Sequence, residues 1–117
     1  EERVGVDKIF GAICGYIMIG LVWALGYSAL EMIQPGSFSG IQRSGASNAP
    51  HFADIDQFLY YSLVTLSTLG YGDIAPLSRP ARSLSATEAM AGQVYLAVLV
   101  ARLIGLHIIQ CRQGPAD

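Results

Sequence analysis

Charge is scarce in this sequence. Only 14% of its 117 residues are Asp, Glu, Lys or Arg, while 52% are apolar, an oily balance for a soluble domain of this size. The net charge of −2 leaves no basic footprint for a nucleic acid, so none is expected as a partner. Cysteine is scarcer still. Cys14 lies inside an apolar run and Cys111 near the end of the chain, and nothing brings them together, so no disulfide is expected. Cys14 reads as a small apolar packing residue. No base stands beside a nucleophile and no metal-ligand cluster is present, so an enzyme is not expected. Long-period repeats and low-complexity tracts are also missing, and the length allows one domain.

What the sequence does have is long apolar runs. Ile9 to Leu30 is free of charge, closed by Lys8 and Glu31. As a helix it is roughly 33 Å long, enough for a hydrocarbon core of about 30 Å. It is too long for the apolar region of a signal peptide, and no small-residue cleavage site follows. The first span is placed at 8–33. A segment rich in Gly, Ser, Pro and Asn follows at 34–53 and reads as an exposed extracellular loop. A second long segment, 84–110, forms the other span. The chain opens on Glu1 rather than Met, so removed upstream sequence is expected, with room in it for extra spans or a sensor domain.

Between the spans lies a shorter apolar stretch that decides the architecture. Its helical part, 54–67, is roughly 20 Å long and reaches only part-way through a bilayer. Asp54 followed by Gln57 is a variant capping box, with Asp56 in the first turn. The tail Gly70-Tyr71-Gly72 is a poor helix former. Non-helical backbone at membrane depth is tolerated only where protein or a water-filled cavity surrounds it. The predicted fold is an all-α membrane protein: two transmembrane helices flanking a re-entrant half-helix and its loop. Both chain ends then share one side, and Arg3, Lys8, Arg102 and Arg112 make it cytoplasmic, against Arg43, Arg79 and Arg82 opposite. Arg102 falls near the far interface, where it snorkels. Glu88 sits about one turn inside the near interface and needs a partner. A neighbouring hydroxyl is the expected one, with a regulatory bond behind the loop as the other reading.

The segment Thr65-Leu66-Ser67-Thr68-Leu69-Gly70-Tyr71-Gly72-Asp73 carries the chemistry. A dehydrated cation needs a cage of oxygens, and successive backbone carbonyls supply one if they point the same way. Alternating right- and left-handed backbone achieves this, and glycine enters the left-handed region cheaply. Gly70 and Gly72 stand at alternate positions. The Thr68 hydroxyl adds an oxygen, Tyr71 and the pair Tyr60–Tyr61 supply aromatic bracing, and Asp73 concentrates cations at the outer mouth.

These residues closely resemble the potassium-channel signature, Thr/Ser-x-x-Thr-x-Gly-Tyr-Gly followed by Asp. Tyr60–Tyr61 stand where many members have paired tryptophans, Pro76 and Arg82 match residues common after the filter, and Gly92 falls where the inner helix often has glycine. The resemblance, to a bacterial channel with two transmembrane helices and one pore loop or to the pore half of a longer one, covers roughly 100 of the 117 residues, and the pore domain is placed at 1–117. It implies a potassium-selective channel subunit in a cell membrane, working as a homotetramer in the lipid bilayer, with K+ as permeant ion and no organic cofactor. Regulatory or sensor domains outside this segment are compatible with it. The implied filter is 68–73, with K+ held by the carbonyls of Thr68, Leu69, Gly70 and Tyr71 and the Thr68 hydroxyl, and closed by Gly72. Two departures stand out. Leu69 replaces the commoner valine or isoleucine, and Val64 occupies the place of a glutamate that in some members pairs with the aspartate after the filter, so Asp73 lacks that partner. A weakly selective cation channel and a potassium transporter subunit are the alternatives.

Gly92 is the expected hinge of the second span, because it lacks a Cβ. Gln93, Leu96, Val100, Ile104 and Ile108 are expected to line a cavity below the filter, with Ile104 or Ile108 forming the gate. The other reading has this stripe packing on the first span while an opposite face of Ala97, Ala101 and Gly105 lines the pore. Gly11 and Gly15 form a small-residue pair for close packing. His51 reads as a solvated loop residue with an external pH sensor as alternative, and His107 as a position for an internal pH gate.

Overall fold

The structure is a computed structural model that describes residues 2–42, 54–112 and 114. The chain order is α1 (Glu2–Ile33), β1 (Phe38–Ser39), α2 (Ile55–Leu66), β2 (Ala75–Pro76) and α3 (Arg79–Arg112). It is elongated, 73 × 25 × 21 Å. α1 and α3 are each long and apolar enough to cross a membrane, and their most apolar windows are 11% and 0% buried within the chain. A soluble core helix would be covered. These faces are left for lipid or for other protein.

Both long helices outrun the expected spans. α3 starts at Arg79 rather than Leu84 because the Ser78 hydroxyl accepts a hydrogen bond from the Ala81 amide at 3.2 Å. That is an N-cap, and it places Pro80 in the first turn, where its missing N–H costs nothing. α2 begins differently from expectation. Asp54 makes no side-chain cap. Instead the Gln57 amide accepts from the Gln42 backbone N–H and donates to the Gln42 carbonyl, both at 2.8 Å, with a longer contact of 3.4 Å to Asp54. One donor and one acceptor on a primary amide match an open backbone pair better than a lone helix amide does.

The segment after α1 is not wholly an exposed loop. Glu31 accepts from the amides of Gly36 (2.8 Å) and Ser37 (3.0 Å), turning the chain at the helix end. Ser37 and Phe38 are then buried. Positions 43–53 of the expected loop, His51 among them, lie outside the described residues. β1 pairs antiparallel with β2, Phe38 opposite Pro76 and Ser39 opposite Ala75, and the Leu77 amide donates to the Ser37 carbonyl at 2.7 Å. This short ladder ties the segment leaving α1 to the segment entering α3.

The core sits behind α2. Tyr27, Phe38, Phe58 and Tyr61 pack edge to face with centroids 5.1–5.5 Å apart, the arrangement ring quadrupoles favour. Ala24, Ile74 and Ala81 complete it. Sequence periodicity did not show this cluster, since Phe38 belongs to a polar, glycine-rich stretch.

Candidate functional site

The segment after α2 follows from how that helix ends. Thr68 N–H donates to the Thr65 carbonyl at 2.9 Å and Leu69 N–H to the Val64 carbonyl at 3.0 Å. These two bonds define a Schellman closure, which needs left-handed backbone just past the helix cap. The residue there is Thr68, with φ 56°. A β-branched residue in that region is strained by about 1–3 kcal/mol, and such strain gathers at functional sites. Gly70 (φ 59°) and Gly72 (φ 80°) are left-handed as well. Every second residue from 68 to 72 therefore has positive φ. The sequence showed the two glycines but not Thr68.

The amides of Thr68, Leu69 and Gly70 all turn back onto α2 carbonyls. Among the described residues, no hydrogen bond is accepted by the carbonyls of Thr68, Leu69, Gly70 or Tyr71. Unspent carbonyl oxygens in a row are ligands suited to a hard cation. Gln93 Nε2 donates to the Thr68 hydroxyl at 3.1 Å, and that hydroxyl donates to the Ser67 carbonyl at 2.7 Å. Two candidate residues placed apart by sequence, Thr68 and Gln93, thus meet. Leu69 and Tyr71 are exposed within the single chain.

Asp73 has a partner after all. Tyr60 O–H donates to its Oδ2 at 2.9 Å, so the aspartate that lacks a carboxylate partner at Val64 is held by a phenol instead. Tyr61 faces the other way, into the core, with its hydroxyl 2.6 Å from that of Ser85. A further residue escaped the sequence reading. Gly40 has φ 81° and its missing side chain leaves room for the Asp73 carbonyl, which a Cβ would overlap. Its signal, a lone glycine among several, could not be told from ordinary loop composition.

Gly92 is buried against the end of α2. A Cβ there would overlap the Leu66 carbonyl oxygen. Close approach is thus a sufficient reason for glycine, and α3 runs through this point as unbroken helix. Glu88, fully buried, has its two oxygens in contact with the hydroxyls of Tyr27 and Ser62, and Ser62 Oγ also reaches the Gly20 carbonyl at 2.7 Å. Its partners are hydroxyls on α1 and α2, so it joins all three helices, and among the described residues it makes no hydrogen bond to the 68–72 segment.

Lower down, the side of α3 facing α1 carries Tyr95, Leu99, Arg102 and Leu106, and Tyr95 O–H donates to the Ala12 carbonyl at 2.6 Å. By helical geometry, Gln93, Val100, Ile104 and Ile108 lie on the far side, with Leu96 nearer its margin. The stripe does not pack on α1. Ala97 shares the far side, and Ala101 and Gly105 flank it, so the small-residue stripe is its neighbour rather than its opposite. Gly15 packs under the Tyr95 hydroxyl, whereas Gly11 has open space around it, so only one of that pair serves packing within the chain. His107 is exposed, with Nε2 3.8 Å from Cys111 Sγ.

Residues 17–106 match the model of a family described as ion channel. Protein LctB of Bacillus caldotenax is 26% identical over 103 residues, covering 88% of this chain and 75% of its own length. Protein LctB of Geobacillus stearothermophilus is 28% identical over the same shares. Two-pore potassium channel 4 of Arabidopsis thaliana is 36% identical over 60 residues, 51% of this chain but 20% of that protein. The match takes in the C-terminal half of α1, all of α2 and the 68–73 segment, and α3 as far as Leu106. Two apolar helices of spanning length and a family match over most of the sequence agree: the chain is a membrane protein, not an enzyme, and belongs to the ion channel family.

Proposed function

We propose that this chain is the pore-forming subunit of a potassium-selective channel, conducting K+ passively through the segment 68–72. The observation that carries this is the alternation of left-handed backbone at Thr68, Gly70 and Gly72 together with the unspent carbonyls of Thr68 to Tyr71. The printed name of the Arabidopsis relative supports potassium as the ion. One chain contributes a single wall of oxygens, and an ion cage needs a ring, so the working unit is a homotetramer with fourfold symmetry. The exposed apolar faces of α1 and α3 are the surface available to neighbouring subunits and lipid.

In that assembly α2 is the pore helix, and its negative C-terminal end favours a cation in the cavity below. Gln93, Leu96, Val100, Ile104 and Ile108 line the cavity, with Ile104 and Ile108 narrowing it toward the cytoplasmic end, where both termini lie. Asp73, held by Tyr60, stands at the outer mouth. The membrane is the cell membrane.

Gly70→Ala tests the assignment. The substitution should abolish rubidium uptake into liposomes, or its preference over sodium, while a mild-detergent mass measurement still finds four subunits. A Gly70→Ala protein that passes rubidium and excludes sodium would remove the filter from this segment.

A further inference from the structure

Thr68 and Gln93 meet at the start of the 68–72 segment, and the proton count at that contact fixes what each group does. A hydroxyl has one hydrogen to give and two lone pairs with which to accept. The Thr68 hydrogen is committed, because Oγ1 lies 2.7 Å from the Ser67 carbonyl oxygen, which can only accept. Toward Gln93, at 3.1 Å, the same oxygen is therefore an acceptor. That requirement turns the nitrogen of the Gln93 amide toward Thr68, since its oxygen there would set two acceptors face to face. One lone pair of Oγ1 is left, and among the described residues no further hydrogen bond uses it.

Backbone packing brings the two residues to the same height. Thr68 follows α2 directly, in left-handed conformation. Gln93 follows Gly92, whose missing Cβ lets α3 approach the Leu66 carbonyl at the end of α2. We infer that Gln93 is a positioning residue for the innermost ion site: it holds the Thr68 hydroxyl with its hydrogen turned to Ser67 and a lone pair free for the permeant ion. A hydroxyl released from Gln93 can rotate, and its hydrogen repels a cation where a lone pair would hold one. Ligands locked by a supporting hydrogen bond lose less on binding than ligands left to rotate. The inference rests on the filter reading, in which Thr68 is an ion ligand, and adds to that site a residue from α3.

Barium is the probe, because it resembles potassium in size and its double charge makes it linger where oxygen ligands are well placed. The measurement is the cytoplasmic barium concentration that halves the current of the full chain in a planar bilayer. Gln93→Met keeps the length and helix propensity of the side chain but has no N–H to give. Gln93→Asn keeps an amide that is one methylene too short to reach. Each should weaken barium block about tenfold, and so should Thr68→Ala. Gln93→Met/Thr68→Ala should fall within about twofold of the stronger single variant, because either change already breaks the pair. Thr68→Ser should stay within about threefold of the parent while Gln93 is present, and should lose block when Gln93→Met is added. A bond that merely ties α2 to α3 would lower the unfolding temperature of the Gln93 variants and leave barium block unmoved. Parent-like block in Gln93→Met or Gln93→Asn therefore overturns the proposal, as do additive losses in the double variant. A parent current insensitive to barium overturns it too. Selectivity is read separately, from the reversal potential of the parent. A potassium-selective parent without the barium coupling leaves the filter assignment standing, and an unselective parent with the coupling intact removes only the selectivity.

Discussion

Gly92 on α3 lies against the carbonyl oxygen of Leu66, at the end of α2, so closely that no side chain fits between them. The helix end that positions Thr68 is therefore seated directly on the backbone of the neighbouring helix. Gly92→Ala must push α2 and α3 apart, and overpacking of this kind costs about 1–3 kcal/mol. Gly5→Ala, where nothing lies within 4 Å, should instead gain up to about 1 kcal/mol from helix propensity. Thermal unfolding in detergent should rank the two on opposite sides of the parent. Equal behaviour would mean that the Gly92 contact is not formed.

Glu88 joins three helices through Tyr27 and Ser62. Glu88→Ala takes the acceptor from the buried Tyr27 hydroxyl, at a cost of about 1–3 kcal/mol if it is left unsatisfied, while Ser62 keeps the Gly20 carbonyl. Glu88→Gln keeps an acceptor and should lose much less. The unfolding temperatures of the two variants check this, and a Gln variant as unstable as the Ala variant would show that the carboxyl itself, not its acceptor geometry, is required.

The bond from Tyr60 to Asp73 makes a coupled pair. Tyr60→Phe and Asp73→Asn should each perturb conduction in the same direction, and the double variant should add little to either. Fully additive effects in single-channel open probability would mean that the two side chains act separately.

Much of the architecture was legible in sequence, because its signals are long and redundant. The uncharged run from Ile9 to Leu30 and the glycines at 70 and 72 each point to one physical solution. Other features hid in residues whose roles depend on distant partners. Thr68 shows no outward sign of its left-handed backbone, which the Schellman closure of α2 imposes. Phe38 sits in a stretch of loop composition and is buried only because Tyr27 and Tyr61 come to meet it. Asp54 and Gln57 spelled a capping box, but Gln42, fifteen positions upstream of Gln57, offered Gln57 a better match. Val64 left Asp73 without the family's carboxylate partner, and the tyrosine that does bind it lies one helical turn earlier. For Phe38, Gln57 and Asp73 the deciding contact is non-local, whereas at Thr68 it is a local helix closure that residue type does not reveal.

The lining of the conduction path separates two neighbouring stripes of α3. Cys14 and Cys111 are both exposed and must first be replaced to give a thiol-free background. Cysteines at 100 and 104 should then be blocked by a water-soluble thiol reagent applied from the cytoplasmic side, while cysteines at 97 and 101 remain silent. The reverse pattern would move the path onto the small-residue stripe.

The central claim is that the carbonyl row at 68–71 discriminates potassium from sodium. The most direct test is the reversal potential of the purified protein in a planar bilayer, with opposing potassium and sodium gradients. The account predicts a reversal potential that follows the potassium gradient and ignores changes in sodium. A reversal potential that responds equally to both ions would contradict it.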